Sequence, residues 1–207
     1  MYRSAPRSRT RCSRIAGFSM VELAVALAVL LILTSIAIPS LTQAFRTYQL
    51  NDAVGRVSDL LKFTRFEAVR RNSLGYFKFQ KTGVVWTSSS AGSTKPLATD
   101  KQLLFTGFAN LLPATTSGLP DQGAICKKLV NTSGPCLDGS LSGSDGAVTF
   151  DARGAIRVGG SVSSTVFVFY LGSATNPEFG YRAVIQLPSG STQIWTAPKD
   201  GTWHQIG

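Results

Sequence analysis

One carboxylate stands out because it lies in a stretch of sequence that otherwise suits the interior of a membrane. The chain is almost continuously apolar from Phe18 to Ile38, yet Glu22 sits near the start of that stretch. Placing a charged side chain in hydrocarbon costs about 2.5–3.5 kcal/mol on insertion scales. A carboxylate there needs a cation beside it or a place at the membrane surface, so Glu22 predicts one of these two arrangements.

The other groups that could do chemistry do not form a catalytic set. The one histidine, His204, lies near the C-terminus, and no Ser–His–Asp arrangement can be argued around it. Asp145 and Asp151 are close in sequence, but acidic pairs near turns are usually structural. Glycines cluster in GSLSGSDG, yet no G-x-G-x-x-G or P-loop pattern opens a helix. We therefore expect no enzyme activity, no cofactor and no metal.

The segment that holds Glu22 follows a strongly basic leader. Half of the net charge of +10 comes from five arginines that precede Phe18 without any acidic residue: Arg3, Arg7, Arg9, Arg11 and Arg14. Positive charge keeps its flank of an apolar span in the cytoplasm, so residues after Pro39 are expected outside it. The 21 residues from Phe18 to Ile38 form about 31 Å of helix, which matches a hydrocarbon core. A cleaved secretory signal has a shorter apolar core, and a plain signal anchor does not explain Glu22.

AGFSMVELAVALAVLLILTSIAIPS, residues 16–40, resembles the N-terminus of type IV prepilins and type II secretion pseudopilins. The resemblance rests on a basic leader ending in Gly17, then Phe18, then Glu22, and an apolar helix with Pro39 near its end. It implies that prepilin peptidase cuts between Gly17 and Phe18 and methylates the new amine of Phe18. It also implies that Glu22 pairs with the N-terminal ammonium of an adjacent filament subunit when the helices are correctly staggered.

The sequence after Pro39 predicts that the helix continues to about Ser73, with a bend or loosening at the proline. Apolar positions at spacings of three and four form one face that should pack on a sheet: Leu50, Val54, Val57, Leu61, Thr64 and Ala68. Gly75 follows as a helix stop. The run TRFEAVRRNS, residues 64–73, resembles the GspH/FimT branch of pseudopilins through Arg65, Glu67, Ala68, Arg71 and Asn72.

Residues 75–207 predict a β-rich outer domain. Hairpin turns are expected near Thr82-Gly83, at Arg153-Gly154 and around Pro188–Gly190, with a further strand in KQLLFTGF. STVFVFYLG is apolar on both faces and predicts a central strand, whereas residues 109–147 predict a loop. This end also resembles the GspH/FimT family, with Phe150, Gly154 and Gly190 in the matching places.

The expected fold is α+β, with the long helix packed on an antiparallel, twisted sheet. We expect four segments: a leader at 1–17 that is removed, a transmembrane helix at 18–38, its amphipathic continuation at 39–74 and a periplasmic domain at 75–207. The protein would be a single-pass protein of the bacterial inner membrane with its N-terminus in the cytoplasm, and would later enter a filament.

Two cysteines lie in the predicted loop, in AICKKLVNTSGPCLDG. Disulfides persist outside the cytoplasm, so Cys126 and Cys136 predict a bridge that would stabilise the domain by about 2–3 kcal/mol. Free thiols or a metal pair are the alternatives, although two cysteines without a nearby histidine give too few metal ligands. Cys12 lies in the leader and should be lost.

Two classes of function follow from the resemblance. The first is a structural subunit, a minor pseudopilin of a type II secretion pseudopilus or a minor type IV pilin, whose partners are other pilins and prepilin peptidase. The second is a FimT-like minor pilin that binds DNA during natural transformation. DNA binding needs clustered cations on an exposed face, and the candidates are Arg153, Arg157, Lys127 and Lys128. The basic G-R-x-R run of DNA-binding relatives is missing from the C-terminal TAPKDGTWHQIG.

Overall fold

The structure is a computed structural model. It describes residues 19–80, 83–105, 107–113, 115–120, 122–130, 137–138, 146–158, 161–162, 166–173 and 175–206. The predicted cleavage site at Gly17 and Phe18 and the predicted disulfide partner Cys136 lie outside these residues. The chain divides into two compact units, residues 1–42 and residues 43–207.

Helix α1 spans Met20–Arg70, which confirms the predicted long helix, and Pro39 lies inside it. From residue 50 onward one face of the helix is buried at positions with helical spacing: Leu50, Ala53, Val54, Val57, Ser58, Leu60, Leu61, Thr64 and Ala68. The expected packing of this face on a sheet is confirmed, because these side chains share one core with apolar residues of the strands.

The helix stops for a different reason than the sequence suggested. Asn72 adopts a left-handed conformation with φ of 48°, and the amide of Ser73 donates to the carbonyl of Ala68 at 3.1 Å. This is the Schellman arrangement, with asparagine in the position that glycine usually takes. Gly75 instead begins the first strand, where a Cβ atom would lie 2.9 Å from the Cβ of Ala68.

The first sheet has six strands in the order β3-β2-β1-β6-β7-β8, all paired antiparallel. Its strands are β1 Gly75–Gln80, β2 Val84–Ser88, β3 Gln102–Leu104, β6 Gly146–Phe150, β7 Ile156–Val158 and β8 Ser161–Val162. The predicted hairpins β1–β2 and β6–β7 are both confirmed. Gly83 and Gly154 provide the positive φ angles of 81° and 78° in the connections.

The second sheet is built around β9, Phe167–Gly172, which confirms the predicted central strand. Its other strands are β4 Asn110–Leu112, β5 Leu137–Asp138, β10 Tyr181–Gln186, β11 Thr192–Ala197 and β12 His204–Gln205. The order is β12-β11-β10-β9-β4. Strand β5 pairs parallel with the start of β9, next to β4 along the same edge. A short 3₁₀ helix, Pro177–Phe179, precedes β10.

The expected α+β fold is confirmed, and its strands form two sheets rather than one. The prediction of a loop over residues 109–147 was wrong, because that segment contains β4, β5 and helix α2, Gln122–Val130. Both differences follow from the alternation along β9. Phe167, Phe169 and Leu171 join the core under α1, while Val168 and Tyr170 belong to a second core. Ile125 of α2 is fully buried in that second core, so the helix covers the sheet face that α1 does not reach.

Candidate functional site

The first part of α1 presents a continuous apolar surface. Every side chain from Met20 to Thr42 is exposed, including ten Leu, Ile or Val residues from Leu23 to Ile38. The helix is long and apolar enough to cross a membrane, and none of its most apolar window is buried by the rest of the described chain. Water is a poor solvent for such a surface, so it calls for lipid or for other apolar helices.

Glu22 is the one charged residue on this surface and lies in the first turn of the helix. The carbonyl of Ser19 accepts the first helical hydrogen bond, from the amide of Leu23 at 3.1 Å. A carboxylate in the first turn faces the positive end of the helix dipole, which stabilises it by about 0.3–1 kcal/mol. Among the described residues no cation pairs with Glu22. Its predicted partner, the amine at Phe18, lies outside them.

The sequence interpretation missed the role of Ser19. The spacing Ser19-x-x-Glu22 is typical of a capping box at a helix start and could have identified it. The side chain of Glu22 is exposed and its carboxylate is available to a partner. The position of Glu22 in the first turn is therefore compatible with pairing to a neighbour.

Three hydroxyl groups in this surface donate hydrogen bonds within the helix. Thr34 donates to the carbonyl of Leu31 at 2.9 Å, and Ser35 donates to the carbonyl of Ile32 at 2.7 Å. Thr42 donates in the same way to the carbonyl of Ile38 at 3.0 Å. Pro39 has no amide hydrogen, which removes one backbone hydrogen bond from the helix. Thr34, Ser35 and Thr42 are thus compatible with an apolar environment, whereas the Glu22 carboxylate is charged and needs a partner there.

Comparison with known families agrees with this geometry. Residues 12–38 match the family model of the prokaryotic N-terminal methylation motif. The chain carries a type IV pilin-like prepilin signal. Among curated proteins and among solved structures no match was found. Such a motif implies that the chain is anchored in a membrane, is processed by prepilin peptidase and assembles with other pilins.

The fold also brings together residues singled out by the sequence near the end of α1 and in two distant turns. Nε of Arg65 donates to the carbonyl of Gly154 at 3.1 Å, and its Nη1 donates to the carbonyl of Gly190 at 3.3 Å. We call this contact the arginine clasp. It joins α1 to the β6–β7 turn and to the β10–β11 turn, which belong to different sheets. Phe150, at the end of β6, is fully buried in the core beneath α1.

Glu67, one turn before the helix end, binds two arginines. Its carboxylate accepts bonds from Nε and Nη2 of Arg70 at 2.9 and 2.8 Å and from Nε of Arg71 at 2.7 Å. The hydrogen bonds with Arg70 and then Arg71 lower the pKa of Glu67 from 4.5 to about 2, against a smaller opposing effect of burial. The carboxylate therefore stays ionised, and both guanidinium groups are held at the helix end.

This pKa shift gives a testable pH dependence. Because the folded pKa of Glu67 is depressed, its contribution to stability is complete above the unfolded pKa of 4.5 and is lost as the pH falls toward about 2. We expect Glu67→Gln to narrow the difference between the melting temperatures measured at about pH 6 and about pH 3. Asp59→Asn, which removes an exposed acid from the same helix, is the control. A pH profile of Glu67→Gln identical to that of the unmodified chain would contradict the assignment.

The structure places Cys126 and the four residues predicted to contact DNA. Cys126 lies on α2, is largely buried and is disulfide-bonded. Its pairing with Cys136 stays a prediction, since Cys136 lies outside the described residues.

Lys127 and Lys128, two of the predicted DNA contacts, lie on α2, where the Lys128 ammonium lies 3.3 Å from the carbonyl of Trp203. The other candidate cations are on the β6–β7 hairpin of the first sheet. DNA binding by these four residues therefore stays a prediction.

The remaining candidates take structural roles. Oδ1 of Asp151 accepts hydrogen bonds from the amides of Arg153 and Ala155, both at 2.9 Å, and so fixes the β6–β7 turn. His204 is exposed in the edge strand β12, and its Nε2 lies 2.9 Å from the hydroxyl of Thr202. Within the described part of the chain, no group of three His, Cys, Asp or Glu side chains could hold a metal ion.

Proposed function

We propose that this chain is a minor pseudopilin or minor pilin, a structural subunit of a periplasmic type II secretion pseudopilus or of a type IV pilus. One observation carries the proposal. A helix bearing the N-terminal methylation motif exposes apolar side chains along its whole first part and then continues into a folded α+β unit. Packing such helices side by side in a filament removes that surface from water and requires no change in the unit of residues 43–207.

Glu22 gives the assembly its register. Before cleavage, the backbone nitrogen of Phe18 belongs to a neutral peptide bond. Cleavage after Gly17 turns it into an ammonium, and methylation leaves that charge in place. In an apolar helix bundle this ammonium and the Glu22 carboxylate of the adjacent subunit neutralise each other only at the correct stagger. Cleavage therefore creates the cation that the buried carboxylate requires.

Orientation follows from the basic leader. The arginines before Gly17 keep the N-terminus in the cytoplasm, where prepilin peptidase acts, and the α+β unit reaches the periplasm. The disulfide of Cys126 is consistent with an oxidising compartment. Under this proposal the membrane holds the subunit until the filament takes it up.

The test is the intact mass of the protein recovered from membranes of its host. We expect a product that begins at Phe18 and carries one added methyl group. Gly17→Val places a branched side chain at the scissile bond and is expected to leave the leader attached, whereas Ala16→Val is the matched control. A native product that retains residues 1–17, or that is cut after the apolar span, would contradict the proposal.

A further inference from the structure

A polar groove lies at the C-terminal end of α1. Its walls come from residues 63–75 at the helix end and from residues 87–89 and 99–101 of the first sheet and its connection. The cavity volume is about 160 Å³. We call it the helix-end groove. It is open to solvent, and all of its lining residues belong to the unit of residues 43–207.

The far wall of the groove is fixed by a buried lysine. Lys78 of β1 is nearly inaccessible, and its ammonium donates to the carbonyls of Ala91, at 2.6 Å, and Ser93. Gln80 donates to the carbonyl of Thr94 at 2.6 Å. These bonds hold the connection between β2 and β3 across the outer face of the sheet. Both ends of that connection line the groove, so the hydrogen bonds of Lys78 and Gln80 help to fix the shape of the groove.

The charge of the groove favours a single anion. Its lining carries three cations, Arg70, Arg71 and Lys101, against two carboxylates, Glu67 and Asp100. Glu67 uses one N–H group of Arg71 and two of Arg70, so each guanidinium keeps further donors, and both side chains are 55% exposed. Because one acid orients two arginines, the remaining donors are held in position before any ligand arrives.

Serine and threonine side chains line both walls, and the Lys101 ammonium lies 4.5 Å from the centre of the Phe63 ring. A planar carboxylate fits this combination, since guanidinium groups bind carboxylates through paired N–H bonds. The lining has a net charge of one positive, which suits one anionic group rather than the closely spaced charges of a nucleic acid backbone.

We propose that the helix-end groove binds a carboxylate, presented by an Asp or Glu side chain of a neighbouring subunit in the filament. Arg71 is the principal contact, and Lys101 lies on the opposite wall. This source of the carboxylate rests on the proposed function, because only a subunit in a filament has such neighbours. A small free carboxylic acid offers the same chemistry from another source, and the two are separated by experiment.

The first arm measures incorporation of the full chain into filaments in its host. Arg71→Glu is expected to reduce incorporation at least tenfold, and Arg71→Gln should fall between it and the unmodified chain. Lys62→Glu is the matched control, because Lys62 is equally exposed on the same helix and lies outside the groove. It should change incorporation less than twofold. Mature mass and melting temperature confirm that each variant is processed and folded.

The second arm uses sodium acetate as the probe and the ¹⁵N-arginine-labelled full chain in detergent, with sodium chloride at equal ionic strength as reference. The Nε–Hε signal of Arg71, assigned by its loss in Arg71→Lys, is expected to shift and saturate with acetate.

The two arms together identify the source of the carboxylate. Loss of incorporation in Arg71→Glu supports a side chain of a neighbouring subunit, and an acetate response without that loss supports a free carboxylic acid. If neither occurs, the proposal is overturned. If the unmodified chain enters no filament, the proposed function fails and the acetate arm alone decides the groove.

Discussion

Glu22→Ala is expected to leave membrane insertion intact and to remove the subunit from its filament. Alanine is more compatible with hydrocarbon than glutamate, so insertion does not suffer. In the filament, however, the ammonium of an adjacent subunit would lose its partner in an apolar bundle. An uncompensated buried charge costs about 3–5 kcal/mol, which corresponds to a loss of more than a hundredfold in the assembly equilibrium. The measurement is the fraction of mature subunit recovered in sheared or cross-linked filaments.

Two further variants show whether the charge is responsible. Glu22→Gln keeps the shape of the side chain and removes its charge, so it should behave like Glu22→Ala. Glu22→Asp keeps the charge on a shorter side chain and should retain part of the incorporation. All three should still yield a product that begins at Phe18. Normal incorporation of Glu22→Gln would rule out the ion pair as the source of register.

Gly190→Ala should be strongly destabilising because the added methyl group would overlap with the side chain of Arg65 in the arginine clasp. A Cβ at Gly190 would lie 2.3 Å from Nε of Arg65 and 2.8 Å from the carbonyl oxygen of Gly154, and the residue has φ of 83°. The left-handed conformation costs about 1–2 kcal/mol for alanine. Displacing Arg65 leaves two carbonyl acceptors without their donor, at about 1–3 kcal/mol more. We expect a melting temperature lower by about 4–20 °C for the full chain in detergent.

Two other glycines provide controls that separate the effect of backbone strain from that of steric overlap with Arg65. Gly107 also has positive φ, at 90°, but no atom lies within 4 Å of an added Cβ, so Gly107→Ala should show the backbone strain alone. Gly92 has open space around its Cβ position and no φ in the left-handed range, so Gly92→Ala should be nearly neutral. Combining Arg65→Ala with Gly190→Ala should cost less than the sum of the two. Equal effects of Gly190→Ala and Gly107→Ala would contradict a close-packed clasp.

Local patterns in the sequence were sufficient for the parts of the fold whose cause is local. The apolar span, the buried face of α1, and the β1–β2, β6–β7 and β10–β11 hairpins follow from periodicity and from turn residues only a few positions apart. The processing signal is likewise contained in consecutive residues, 12–38. Each of these features depends on interactions between residues close in the chain, which the order of residue types records directly.

The tertiary structure decided what depends on distant residues. Arg65 meets Gly190 across 125 positions, and no spacing rule connects the two. The second core required α2, a short helix whose nine residues carry no strong pattern of their own. The alternation along β9 showed two apolar faces, but only the fold identified what covers each. The helix-end groove has the same origin, since Arg71 and Lys101 reach opposite walls only after the sheet has packed against the helix. Sequence patterns therefore identified the apolar span and the prepilin signal, whereas long-range packing created the surfaces through which the chain can meet a partner.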